Sequence, residues 1–151
     1  MRIRLMNMVK IKNPKTGQVL VLDKVKKEGW EGLTFPGGKL EEKESFIESV
    51  IREAKEETNL DIINPIFVGI ITWYFKKNGE TCKDVGLLYE TDQYNGNLVG
   101  ENREGRLYWQ DYQEFKNEKE KSDSMDDILT IYEGKYSEIF WNVDTGEKSY
   151  Y

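Results

Sequence analysis

The chain has 151 residues, a net charge of −6, no histidine and a single cysteine, Cys82. This length predicts one domain, residues 1–151. The acidic balance argues against a stable nucleic-acid complex, because duplexes are held by basic faces. The lack of histidine excludes Ser-His triads, histidine general bases and most zinc sites, so acid–base chemistry falls to carboxylates, Lys, Tyr or metal-bound water.

The first residues, MRIRLMNMVKIKN, alternate apolar and charged side chains and do not have the pattern of a signal peptide. No apolar run reaches the length that crosses a bilayer, so we expect no membrane association. Cys82 cannot form an internal disulfide and suits a reducing compartment, which favours a cytoplasmic location.

The first half of the chain is predicted to form two strands, an extended piece and one helix. In chain order these are a strand at 2–12, a turn at 13–17, a partner strand for it at 18–25, a loop at 26–29, an extended piece at 30–35 and, after Pro36-Gly37-Gly38, a helix from Glu44 or Ser45 to about Asn59.

The second half is rich in strand-forming residues and predicts a mixed sheet with helices on its faces. The expected elements are a long strand at 62–75, an Asn78-Gly79 hairpin, its partner strand at 81–90, an edge strand at 94–99, a charged loop at 100–106, a short strand at 107–109, helical turns at 111–116, a helix capped by Asp123 or Ser124 and ended by Gly134, a last strand at 136–143, and a fraying end at Tyr150-Tyr151.

The first predicted helix carries Glu53, Glu56 and Glu57, whose i, i+3 and i+4 spacing places them on one side. They lie at the edge of the helix's apolar stripe, where the helix meets the rest of the protein. Carboxylates this close raise one another's pKa values, and a hard divalent cation would relieve that repulsion. The plainer alternative is a solvated acidic face, which is the usual role of a charge run.

The spacing Gly38, five residues, Glu44, seven residues, then Arg52-Glu53-Ala54-Lys55-Glu56-Glu57-Thr58-Asn59-Leu60 resembles the Nudix box, G-x5-E-x7-R-E-U-x-E-E-x-G-U. Asn59 replaces the usual glycine at the helix end, where Asn is the next most tolerant residue of a left-handed backbone. The resemblance implies an α/β fold, namely an α/β/α sandwich with a mixed sheet. It also implies divalent-metal hydrolysis of a nucleoside diphosphate linked to another group.

The resemblance further implies roles for the residues of the box. Glu56 and Glu57 correspond to the principal ligands of Mg2+, for which Mn2+ can substitute, and Glu53 to a further ligand or to the base. Arg52 would orient Glu53, although an ordinary surface ion pair is the simpler reading. Three further candidates are the Gly37 carbonyl as a ligand, Glu44 as a support or helix-start charge, and a loop carboxylate, Glu104 in preference to Glu101.

Weaker segments, at 13–16, 30–38 and 104–106 with Trp109, resemble MutT-type 8-oxo-dGTP diphosphatases. They imply cleavage of a nucleoside triphosphate to monophosphate and pyrophosphate, which would serve nucleotide-pool sanitation and DNA repair. The alternatives are another substrate, such as an ordinary NTP, ADP-ribose or a capped RNA end, a non-catalytic nucleotide-binding module, or a plain structural domain with an acidic helix. The oligomeric state, monomer or homodimer, stays open.

Substrate contacts are harder to assign, because large aromatics more often serve packing than binding. The candidates are Gly38, Lys39 and Phe35, with Trp30, Trp73, Tyr74 and Trp109 as further stacking residues and Asn117 as a partner of the base edge.

Overall fold

The computed structural model describes residues 1–25 and 31–151; the predicted loop at 26–29 and Trp30 lie outside the described residues. The described strands are β1 (Arg2–Ile11), β2 (Val19–Lys24), β3 (Gly32–Thr34), β4 (Gly37–Lys39), β5 (Asp61–Ile63), β6 (Ile66–Lys77), β7 (Glu80–Thr91), β8 (Gln93–Asn95), β9 (Glu101–Asn102), β10 (Gly105–Gln110), β11 (Glu138–Asn142) and β12 (Lys148–Tyr150). The helices are α1 (Phe46–Thr58), α2 (Tyr112–Asn117) and α3 (Met125–Tyr132).

Six strands form the main sheet in the order β12-β11-β6-β7-β1-β4, and four form a smaller sheet in the order β3-β2-β10-β9. The main sheet is mixed, because β1 runs parallel to β7 and β11 parallel to β6 while the other pairs are antiparallel. This is the predicted mixed sheet of an α/β fold.

Alternate residues of β1 serve opposite faces of the main sheet, as the strand period requires. Val9 and Ile11 pack in the cluster that contains Val50 and Ala54 of α1. Met6 and Met8 pack against the cluster that contains the buried side of α3. The main sheet therefore lies between α1 and α3, which confirms the predicted sandwich.

The predicted pairing of the first two strands is wrong. Both edges of β1 are occupied, by β7 along its whole length and by β4 at Met6, Asn7 and Met8. β2 instead joins the smaller sheet, and an isolated bridge between Lys12 and Val19 links its start to the end of β1.

Three other elements differ from expectation. The long strand predicted at 62–75 is divided into β5 and β6 at Asn64-Pro65, where Asn64 has φ = 50°. The edge strand expected at 94–99 is β8, which pairs with β5 in a separate two-stranded sheet. The end of the chain does not fray, since β12 pairs with β11 and the Tyr151 amide donates to the Glu138 carbonyl.

Candidate functional site

The acidic helix α1 begins and ends where local sequence signals predict. Ser45 caps it, its hydroxyl accepting from the Glu48 amide while the Glu48 carboxylate accepts from the Ser45 amide. Asn59 ends it in the left-handed conformation, with φ = 67°. Asn59 therefore adopts the left-handed conformation expected of the glycine that it replaces in the Nudix pattern.

Arg52 hydrogen-bonds three carboxylates of the site, those of Glu44, Glu53 and Glu56. Its guanidinium donates to both Glu44 oxygens, at 2.9 Å and 2.6 Å, and to the Lys39 carbonyl at 3.0 Å. It also donates to Glu53 at 3.0 Å and to Glu56 at 3.1 Å. The guanidinium lowers the pKa of Glu44 to about 2, so Glu44 stays ionised and fixes Arg52.

Glu57 lies on the inner side of the helix, with only 8% of its surface exposed. Burial, then the charges of Glu104 and Glu53, raise its pKa to about 9. When it is ionised, Oε2 of Glu57 is buried and finds no donor within residues 1–25 and 31–151. Burial also raises the pKa of Glu53, against the opposing effect of Arg52.

Gly38 lets the chain pass directly over Glu53. A Cβ added at Gly38 would overlap the Glu53 carboxylate, so a larger residue there would displace the Glu53 side chain from its present position. A Cβ at Gly37 would similarly overlap the Asn7 carbonyl of β1. The Gly37-Gly38 pair therefore sets the close approach of β4 to both β1 and α1.

Asn7 and Ser49 form a buried polar link that sequence reasoning missed. The Asn7 amide donates to the Ser49 hydroxyl at 2.7 Å, and its oxygen accepts from the Gly38 amide at 3.3 Å. Both residues are nearly inaccessible, at 5% and 0% exposure. Their only sequence signal is a polar residue at a core position on a strand and on a helix.

The loop carboxylate Glu104 lies against Glu57. The two carboxyls are hydrogen-bond partners when one carries a proton, and Lys24 Nζ lies 3.7 Å from Glu104 Oε1. Glu101 is exposed and stands opposite Arg106 in the β9–β10 pair. Of the two loop carboxylates considered, Glu104 is thus the one that the fold brings to the acidic helix.

The proposed substrate residues are scattered. Phe35 is buried in the core, stacked on Phe115 at 5.1 Å, so it cannot offer a surface to a base. Lys39 is exposed on β4, beside Gly38. Trp109 stacks on Tyr94 at 5.5 Å.

The remaining candidates are Tyr74, Asn117, Trp73 and Trp30. Tyr74 is half-buried and lies 6.1 Å from the ring of Phe140, while Asn117 is exposed at the end of α2. Trp73 is largely buried and lines a cavity, and Trp30 is outside the described residues.

The cavity beside Trp73 has a volume of about 210 Å3 and lies between the main sheet and the start of α3. Its wall consists of Trp73, Phe75, Asp84, Asp123, Ser124, Trp141 and Val143. Trp73 donates to the Ser124 hydroxyl at 2.9 Å, and Arg4 pairs with both oxygens of Asp84, at 3.1 Å and 2.6 Å. It is a small aromatic cavity with a carboxylate, Asp123, at its exposed rim.

The donor set fits a hard divalent cation by its chemistry, since it is made of carboxylates and one of them, Glu57, has a buried oxygen that meets no donor among the described residues. Across the described ranges 1–25 and 31–151, however, no three such side chains stand together in a ready-made metal geometry. Arg52 engages Glu53 and Glu56 by direct hydrogen bonds. The Glu56 side chain is 59% exposed.

Solved structures share this architecture. The mMutator MutT protein of Bacillus halodurans superposes with a TM-score of 0.74 at 24% identity, over 98% of this chain and 96% of that chain. The NUDIX domain of Shewanella oneidensis NrtR, solved with ADP ribose, gives 0.66 at 13% identity, over 89% and 88%. Identities this low establish the fold and leave the substrate open.

Sequence comparison gives the family. The NUDIX domain model matches residues 1–130, so the chain belongs to the Nudix family. The uncharacterized Nudix hydrolase YvcI of Bacillus subtilis (strain 168) is 38% identical over 101 residues, 66% of this chain. The match spans 62% of YvcI, less than two thirds of that relative's length.

Within the described part of the chain, none of the helices has the length and apolar character needed to span a membrane.

Proposed function

We propose that this Nudix protein cleaves a nucleoside triphosphate to the monophosphate and pyrophosphate with Mg2+, and that 8-oxo-dGTP is its substrate. The observation that carries the metal-dependent activity is Glu57: its carboxyl is buried, its Oε2 has no donor in the described part of the chain, and it faces a second carboxylate, Glu104. When Glu57 is ionised, such an arrangement is unfavourable unless a cation neutralises it.

In this proposal Glu56 and Glu57 hold the metal, and Glu53 and the Gly37 carbonyl complete the protein's contribution. The bound cation would neutralise phosphate charge and acidify a water molecule. Arg52 orients Glu53 through the 3.0 Å hydrogen bond, and Glu44 keeps Arg52 in place.

The chemistry is a hydrolysis in which water adds to the β-phosphorus. The bond that breaks joins the β-phosphorus to the oxygen bridging it to the α-phosphorus. The bridging oxygen leaves with the nucleoside monophosphate, and the remaining two phosphates leave as pyrophosphate. The proton of the attacking water goes to a carboxylate, for which Glu53 and Glu104 are the two candidates.

We assign the nucleoside to the aromatic cavity at α3. Arg4, whose partner Asp84 lines this cavity, is three residues from Asn7 along β1, about 10 Å at the usual strand rise, and the two residues face opposite sides of the main sheet. A nucleotide with its phosphates at Gly38 and its base at the cavity would therefore pass around the edge of the sheet formed by β4, the strand that carries Gly38. Phe75 and Trp141 would contact the base, and the Asp123 carboxylate would accept from its N–H groups.

The test is a panel of 8-oxo-dGTP, the ordinary nucleoside triphosphates and ADP-ribose, each with Mg2+ and with a chelator. Released pyrophosphate, phosphate and nucleotide products are separated by chromatography. We expect Mg2+-dependent pyrophosphate release, with the highest kcat/KM for 8-oxo-dGTP. Preference for ADP-ribose would contradict the proposed substrate, and metal-independent turnover would contradict the site.

A further inference from the structure

Asn102 ties the end of the acidic helix to the segment that carries Glu104. Its Nδ2 donates to the Glu57 carbonyl at 2.9 Å, and its Oδ1 accepts from the backbone amides of Glu104 at 2.7 Å and Gly105 at 3.1 Å. All three hydrogen bonds go to backbone, so they fix the path of the chain on both sides of the contact.

The hydrogen bond from Asn102 gives a partner to a carbonyl at the end of helix α1. The last carbonyls of a helix have no partner within it, and Asn102 serves that of Glu57. Further contacts reinforce the docking: the Val99 amide donates to the Thr58 carbonyl at 3.1 Å, and the Asn59 side chain donates to the Asn97 carbonyl at 3.0 Å.

The same segment is fixed from its other side by β2. The Val25 amide donates to the Glu104 carbonyl at 3.0 Å, and a Cβ at Gly105 would overlap the Asp23 carbonyl. Glu104 thus has a backbone held by β2 on one side and by Asn102 on the other. This backbone frame keeps Glu57 and Glu104 together, although their carboxylates repel each other when both are ionised.

We propose that Asn102 is a positioning residue, which holds the Glu104 carboxylate beside Glu57 so that both serve one metal–phosphate site. This rests on the proposed function, because it assigns Glu104 to that site. Asn102 touches neither reactant, so it acts only through Glu104 and the end of α1.

The decisive measurement is a double-mutant cycle of Asn102→Ala with Glu104→Gln. We expect Asn102→Ala to lower kcat by about 10- to 100-fold, the usual effect of removing a residue that orients a ligand, with KM changed less than about threefold. In the Glu104→Gln background the same change should have little further effect on kcat. An equal loss in both backgrounds would overturn the proposal.

Two further variants separate positioning from folding. Asn102→Asp keeps the acceptor for the Glu104 and Gly105 amides, so it should retain more activity than Asn102→Ala. Asn97→Ala is the matched control, because Asn97 is exposed and the contact it makes to Asn59 uses its backbone carbonyl. If Asn102→Ala only lowers Tm while folded protein turns over normally, the role is structural and the proposal is wrong.

Metal binding, measured without turnover, tests the role of Asn102 independently of the proposed substrate. Free Mn2+ is titrated by electron paramagnetic resonance in the absence of nucleotide. Asn102→Ala should weaken Mn2+ binding about tenfold or more in the parent but not in Glu104→Gln. This result would support the positioning role even if no nucleoside triphosphate is hydrolysed, and unchanged Mn2+ affinity would overturn it.

Discussion

Glu57 combines two properties that rarely occur together, near-complete burial and an oxygen without a donor in the described part of the chain. Replacing it by Gln keeps its size and removes the charge, and the new amide can donate to Glu104. We therefore expect Glu57→Gln to lower kcat by about 10²- to 10³-fold, through loss of a metal ligand. We expect the metal-free protein to become more stable by about 1–3 kcal/mol.

Steady-state kinetics and urea unfolding in a chelator measure the two effects. Glu80→Gln, an exposed hairpin carboxylate, is the control and should change neither. A Glu57→Gln variant that is less stable, or that turns over normally with Mg2+, would contradict the role given to this side chain.

The raised pKa of Glu57 makes metal-free stability depend on pH. The folded protein retains a proton there up to a pKa of about 9, whereas the unfolded chain releases it near 4.5. Proton binding thus favours the folded state fully below pH 4.5, and this stabilisation is lost as pH rises toward 9, by at most about 1.4 kcal/mol per pH unit.

Unfolding free energies at several pH values in chelator, for the parent and Glu57→Gln, measure this slope. The variant should lose less stability between pH 5 and 9. Because metal and proton compete for the carboxylate, apparent Mg2+ affinity of the parent should rise over the same range. Parallel curves for the two proteins would show that Glu57 is not the titrating group.

At the scale of elements, the C-terminal end of α1 shows how Asn replaces the glycine of the Nudix pattern. Asn59 is left-handed, and its side chain donates to the Asn97 carbonyl. Glycine would remove about 1 kcal/mol of backbone strain but also this hydrogen bond, of similar worth, so Asn59→Gly should be within about 0.5 kcal/mol of the parent. Asn59→Ala keeps the strain and loses the bond, so we expect a loss of about 1–2 kcal/mol.

Chemical denaturation of the two variants checks this, since each changes one residue at the same site. A strongly stabilised Asn59→Gly would mean that the hydrogen bond to Asn97 contributes nothing. Equal losses in both variants would mean that the bond, and not the backbone conformation, determines the helix end.

Elements whose causes are local could be predicted from sequence. The start of α1 near Glu44 or Ser45, its end at Asn59 and the Asn78-Gly79 hairpin each depend on a few adjacent residues. In the hairpin, Asn78 has φ = 52° and Gly79 has φ = 77°. The pairing of β1 could not be predicted, because its partners β4 and β7 are separated from it by long stretches of chain and β2 has equally suitable strand residues.

In the candidate site, too, the features with a local sequence pattern could be predicted and the others could not. The carboxylates of α1 have a fixed helical spacing that sequence can reveal, whereas Asn7, Ser49 and Asn102 are isolated polar residues without a pattern. The structure identifies them because β1, α1 and the β9–β10 segment meet at one place. Phe35 is the opposite case. Its position two residues before Gly37 suggested a place in the site, but its side chain lies in the core.

At the scale of the molecule, the two environments proposed for the nucleotide lie against opposite faces of the main sheet, so a nucleotide that reaches both would pass around the β4 edge. The acidic helix and the Gly37-Gly38 pair provide the phosphate side, while the aromatic cavity lies against the start of α3. The Glu residues of α1 and the cavity residues share no contact among the interactions described above. Substitutions in the cavity should therefore affect KM without the loss of kcat expected from substitutions in α1.

Asp123→Asn and Phe75→Ala should therefore raise KM for the nucleoside triphosphate about tenfold while kcat changes less than about threefold, since they remove binding common to ground and transition states. Inhibition by pyrophosphate, which has no base, should be unaffected. Asp92→Asn, an exposed carboxylate in the turn between β7 and β8, is the control. Initial rates over a range of substrate and pyrophosphate concentrations give all three quantities. If the cavity variants weaken pyrophosphate inhibition as much as they raise KM, the cavity does not hold the base and the nucleoside lies elsewhere on the molecule.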